Sequence, residues 1–161
     1  MKLRVTTRVD ASLEAVDAGF TKDLFERLNP PFPIARLKAY GGEHPGDLVK
    51  IELDFLLFKQ LWVSEIIDRE ESTDEIYFTD VGKELPFFLK EWRHRHILKR
   101  DKATGGTFII EDVDFQGPAL LPNFLLYPAL WGLFAYRKPI YRKVFRAQKQ
   151  QQNTAEVAHS S

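Results

Sequence analysis

Residues 85–115 read LPFFLKEWRHRHILKRDKATGGTFIIEDVDF. Two alternating stretches flank a polar turn that ends in two glycines, which is a hairpin pattern: a strand over Phe87–Lys99, the turn DKATGG, and a returning strand over Thr107–Phe115. Side chains two apart on a strand share a face. Trp92, His94 and His96 therefore point together, Phe88 and Leu98 continue their face, and Arg93, Arg95 and Lys99 form the solvated one. The apolar ends of the first set put it inside, imidazoles included. On the returning strand Phe108, Ile110, Asp112 and Asp114 share one face and Glu111, Val113 and Phe115 the other, and alternation leaves open which is concave. With Asp112 inward, a carboxylate across the hairpin would hold one imidazole in a single tautomer.

Upstream of the hairpin the same alternation recurs. Strands are expected over Lys2–Val9, Ile34–Tyr40, Leu48–Phe55, Phe58–Asp68 and Glu75–Asp80, separated by turns such as GGEHPGD and EEST. Between the first two strands, Asp10 or Ser12 suits a helix N-cap, and Phe20, Leu24, Phe25 and Leu28 have helical spacing until Asn29-Pro30-Pro31 stops them. Downstream, residues 115–136 (FQGPALLPNFLLYPALWGLFAY) carry no formal charge and are followed by Arg137, Lys138, Arg142, Lys143 and Arg146. Pro118, Pro122 and Pro128 break this run below the length of a membrane span, so a long helix over about Asn123–Gln148 is expected, with an inner stripe of Tyr127, Trp131, Phe134, Ala135, Tyr141 and Phe145. Pro128 and Pro139 lie inside it.

These elements predict an α+β domain over residues 1–147: a curved antiparallel sheet of about seven strands around a long C-terminal helix, with two short helices after the first strand. Residues 148–161 read as a polar tail. The chain has 161 residues, no cysteine, and 23 basic against 23 acidic residues. Disulfides and thiolate chemistry are thereby excluded, and no net charge draws the chain to nucleic acid. Without an apolar leader-like run at its start, the chain reads as cytoplasmic. Aromatic residues make up 13%, enough to line a hole as well as to fill a core.

Two segments carry a likeness to a known family. Residues 85–115 resemble the bacterial SRPBCC pattern in which Pro-Phe, Trp and His-x-His precede a hairpin and an Asp-x-x-x-aromatic strand end. Phe134-Ala135-Tyr136-Arg137 with Phe145 looks like the Phe-x-Tyr-Arg…Phe signature of the last helix in that group. On these residues, and over nearly the whole chain to about residue 147, the sequence resembles the START/SRPBCC superfamily, which includes birch-pollen-allergen-like and polyketide cyclase/dehydrase-like proteins. The resemblance implies a helix-grip fold and a hydrophobic or amphipathic small molecule or lipid held between sheet and helix.

The candidate cavity wall is Phe55, Trp62, Phe78, Phe88, Trp92, Phe124, Trp131 and Phe134, with His94, His96, Asp112 and Arg137 as polar anchors. Pro30-Pro31-Phe32-Pro33 and residues 117–122 would flank its mouth, and residues 117–136 could touch a membrane surface or a partner protein. The alternative is a cyclase or dehydratase acting on an aromatic or polyketide-like substrate, with His94 or His96 as general base. His-x-His also suits a metal on a strand, but a third ligand must come from an Asp or Glu of another strand, since His44 sits in a turn. The expectation is a ligand-binding domain with no cofactor, no metal and no transmembrane span.

Overall fold

Side-chain caps open both short helices of the computed structural model, which describes the backbone of residues 1–159 and the side chains of residues 1–147. Ser12 accepts from the Ala15 amide to start α1 (Leu13–Ala18), and Thr21 accepts from the Leu24 amide to start α2 (Lys22–Arg27). Both follow β1 (Lys2–Val9). Then come β2 (Ile34–Tyr40), β3 (Leu48–Asp54), β4 (Lys59–Glu71), β5 (Glu75–Glu84), β6 (Glu91–Arg100) and β7 (Thr107–Gln116). The strands form one antiparallel sheet in the order β1-β7-β6-β5-β4-β3-β2. Six strands thus follow one another as a meander, and β1 closes against the last of them. Among the described residues no helix is long and apolar enough to cross a membrane.

α3 (Asn123–His159) lies across the inner face of this sheet. Its backbone is helical well past residue 148, where the sequence suggested an end, because the Gln-rich stretch that follows has no proline or glycine to break the helix. The side chains of that expected tail, His159 included, and all of residues 160–161 lie outside the described residues. The buried stripe of α3 is Leu126, Leu130, Phe134, Tyr141 and Phe145. Tyr127 and Trp131 were expected in it but lie one position off this stripe and are exposed, so spacing outranked ring size in the first turns.

The interior has two apolar clusters. One gathers α1, α2 and the far half of α3 around Leu13, Phe20, Phe78, Leu98, Ile109 and Phe145. The other gathers Leu3, Trp92, Val113, Phe115, Leu130 and Phe134. Along β6 the order is Trp92, His94, His96, Leu98, so the histidines fall in the band between the two clusters.

A separate polar tie fastens α1 to the sheet. Arg69 on β4, nearly buried, donates to Asp17 of α1 at 3.0 Å and to Glu43 at 2.7 Å. Burial pushes the Glu43 carboxyl up to about 7 despite the attraction of Arg69. Arg69→Leu is expected to cost about 3 kcal/mol in chemical denaturation, because Glu43 and Asp17 lose their cation in a poorly solvated site. A loss under about 1 kcal/mol would show the tie to be solvent-screened.

Candidate functional site

Register brings the polar band together. Asp80 on β5 faces His94, and His96 faces Glu111 of β7. From the helix side Arg137 and Tyr141 reach the same point, one turn apart on α3. All but Arg137 are buried, and Arg137 is mostly so.

The geometry is closely specified. His94 Nε2 lies 2.7 Å from Glu111 Oε2, and Tyr141 donates its hydroxyl to Glu111 Oε1 at 2.6 Å. Arg137 Nη1 stands 3.5 Å from that same Oε1, and its guanidinium covers the Phe134 ring. On the other flank, Asp80 Oδ2 lies 3.5 Å from His94 Nδ1 and 3.4 Å from His96 Nε2, while Trp92 Nε1 donates to Asp80 Oδ1 at 3.1 Å. The two imidazole rings lie 3.7 Å apart. His96 Nδ1 is 3.3 Å from Glu111 Oε2 without hydrogen-bond geometry, and it and Arg137 Nε are buried without a partner.

Burial works to raise the Glu111 carboxyl, but the hydrogen bond from His94 and the charges around it hold it far below the usual carboxylate range. Asp80 is likewise held low, burial being outweighed by the two histidines. Burial, and then the neighbouring His96, push His94 below the ordinary imidazole value against the pull of Glu111. His94 is thus favoured as a neutral ring. Burial and the adjacent Glu111 charge push the Tyr141 hydroxyl up, so it stays a donor.

Beside this band a cavity of about 630 Å3 opens between α3 and the β2–β6 part of the sheet, within the range of small-molecule sites. Trp62, Phe78, Phe88, Trp92 and Phe134 line it, together with His94, His96 and Arg137. Asp80 and Ser64 share its polar end, where Ser64 accepts from Trp62 Nε1. Pro30–Pro33 and Leu121 stand in its wall, as expected for the mouth.

Other expected site residues are elsewhere. Asp112 lies on the outer face of β7 and pairs with Arg4 at 3.0 Å; Glu111 takes the inner position. The reason is the company each keeps: Ile109, Val113 and Phe115 bury the odd-numbered face, while Asp112 and Asp114 share the even-numbered one. Phe124 and Trp131 point into solvent, 66% and 48% exposed, on the side of α3 away from the cavity. Phe55 does not reach the cavity but stacks on Phe58 and packs edge-on against Phe32, Phe87 and Phe88 at the rim. Glu111, Asp80 and Tyr141 were the functional candidates missed. The alternation of β7 carried a usable signal for Glu111: an acid flanked two residues away on each side by apolar side chains.

No family model matches the chain, and no curated protein does. Solved structures do. A START superfamily protein from Mycobacterium smegmatis superposes with a TM-score of 0.68 at 10% identity, covering 91% of this chain and 97% of that one. The fold is the helix-grip fold. A Thalictrum norcoclaurine synthase point mutant in complex with a transition-state analogue matches at TM-score 0.63 and 11% identity, over 92% of this chain and 96% of that one. Ara h 8.0201 matches at 0.56 and 15%, over 88% and 97%. At such identities the helix-grip likeness concerns the fold, and the argument for function rests on this chain's own cavity.

Proposed function

We propose that this helix-grip protein binds a hydrophobic or amphipathic small molecule or lipid in the cavity under α3. The observation that carries this reading is the cavity's composition: aromatic and aliphatic walls with one polar end formed by Asp80, His94, His96 and Arg137. An apolar body is driven in by burial, and a single hydroxyl, amine or carbonyl at its end finds donors and acceptors there. Native mass spectrometry after incubation with a panel of apolar dyes and lipids is expected to show one bound equivalent. A panel with no uptake at all would end the proposal.

A second reading, a cyclase or dehydratase acting on an aromatic or polyketide-like substrate, draws on the same end of the cavity. A neutral His94 beside an ionised Glu111 is suited to accept a proton from a guest. It requires that the double variant His94→Gln/His96→Gln lose turnover; unchanged turnover removes it.

The rim supports a membrane surface as the place of loading. Leu120 is 98% and Leu57 95% exposed, and Leu57 directly precedes the rim aromatic Phe58, which packs edge-on against Phe87. Leu56 holds a left-handed backbone (φ 72°), unusual for a bulky apolar residue and a local cost that its solvent exposure does not offset. Apolar residues at such positions, with Lys59 two residues after Leu57, suit an interface of headgroups and acyl chains. The protein is expected to float with liposomes, and Leu57→Asp with Leu120→Asp to reduce that several-fold. Absence of flotation by the unmodified chain, with or without anionic lipid, removes the membrane contact.

A further inference from the structure

We propose that Asp80, His94 and His96 form a binding site for a divalent first-row transition metal, with zinc the ion the donor set fits best. The site occupies the polar end of the cavity, but its formation does not depend on which guest the cavity takes.

Three acceptors converge on one point. His94 Nδ1 and His96 Nε2 both face Asp80 Oδ2, and one ligand atom from each of the three residues lies within 4.8 Å of the others. The carboxylate oxygen is 3.5 Å from the first nitrogen and 3.4 Å from the second. Ligands held at ~2.0–2.1 Å by a tetrahedral ion stand about 3.3–3.4 Å apart, so these two edges need almost no adjustment. The donor types, two imidazole nitrogens and one carboxylate oxygen, match catalytic zinc sites and the two-histidine, one-carboxylate iron sites.

His94 is committed through Nε2 to Glu111 at 2.7 Å. Its remaining nitrogen, Nδ1, faces Asp80 Oδ2 at 3.5 Å with no hydrogen bond between them, a gap that an ion bridging the two would occupy.

The outer partners that a metal site requires are already in place. Glu111 orients His94 through its far nitrogen and stands 3.3 Å from the far nitrogen of His96. Trp92 donates to the second oxygen of Asp80. Glu111 is in turn fixed by Tyr141 and Arg137. All three ligand residues line the cavity, so a fourth coordination position would face a guest molecule rather than another side chain.

The test is calorimetric titration of the chelator-treated full-length chain with zinc chloride, and with cobalt chloride followed by visible absorption. The expected result is one zinc equivalent at micromolar or tighter affinity, with the intense visible bands of low-coordinate cobalt. Asp80→Asn and His96→Gln should each weaken binding at least about a hundredfold. His44→Gln, which removes an exposed histidine, should leave binding unchanged. Far-UV circular dichroism checks that each variant folds, and dye uptake is measured on the same samples, so loss of the metal site and loss of the cavity are told apart. Absence of both heat and cobalt bands overturns the proposal. So does zinc binding that survives Asp80→Asn and His96→Gln.

Discussion

Glu111→Ala is expected to lower unfolding free energy by about 3–5 kcal/mol, on the order of 10 °C in Tm. Glu111 is almost wholly enclosed. Removing it strands the Tyr141 hydroxyl, His94 Nε2 and the Arg137 guanidinium, all of which now meet its two oxygens. Each buried donor left without a partner costs about 1–3 kcal/mol, and the cationic one more. These losses fall in the seam between the two apolar clusters, so α3 and the sheet loosen together. Glu111→Gln keeps the shape and one acceptor oxygen and should cost less. Equilibrium urea unfolding measures both. A cost below about 1 kcal/mol for the alanine variant would mean that the band is hydrated and that Glu111 is no keystone.

The second large effect concerns the cavity. Ile51 sits on β3 between Leu37 of β2 and Trp62 of β4, its register partners, and all three line the floor of the cavity. Ile51→Trp puts an indole where a guest would lie. Each guest methylene displaced into water forfeits about 0.8 kcal/mol, so evicting four of them weakens binding by ~3 kcal/mol, or roughly two hundredfold. Stability should change little, because tryptophan suits a strand and the added ring enters open space rather than packed atoms. Dye titration and a thermal melt together decide it. Unaltered uptake would place the guest elsewhere, and a collapse in Tm with lost uptake would mean that the floor is closed core.

How much of this was legible beforehand follows from the range of each signal. Alternation and turn residues are local, so β1 to β7 and the hairpin at residues 101–106 could be read from the chain, as could the inward aim of Trp92, His94 and His96. The strand expected from Phe87 begins only at Glu91, because residues 85–90 form the turn that carries Phe87 and Phe88 to the cavity. Trp131 and Phe124 were read as cavity wall for their size, yet the helical period turns them outward. Asp112 and Glu111 adjoin in sequence, and a one-residue difference on a strand is the difference between a surface ion pair with Arg4 and the centre of the buried band.

The order of residues in this chain, by itself, determined a meander closed by a long helix, two histidines on the inner face, and an aromatic supply beyond ordinary need, since each of these is set by neighbours a few positions apart. Which acids meet the histidines was decided only in three dimensions. Asp80, Glu111, Arg137 and Tyr141 come from two strands and a helix as far as 61 residues apart in the chain, and pairing register and the seating of α3 bring them to one point. No local pattern encodes that meeting, because the energy that fixes it comes from burying the two apolar clusters on either side.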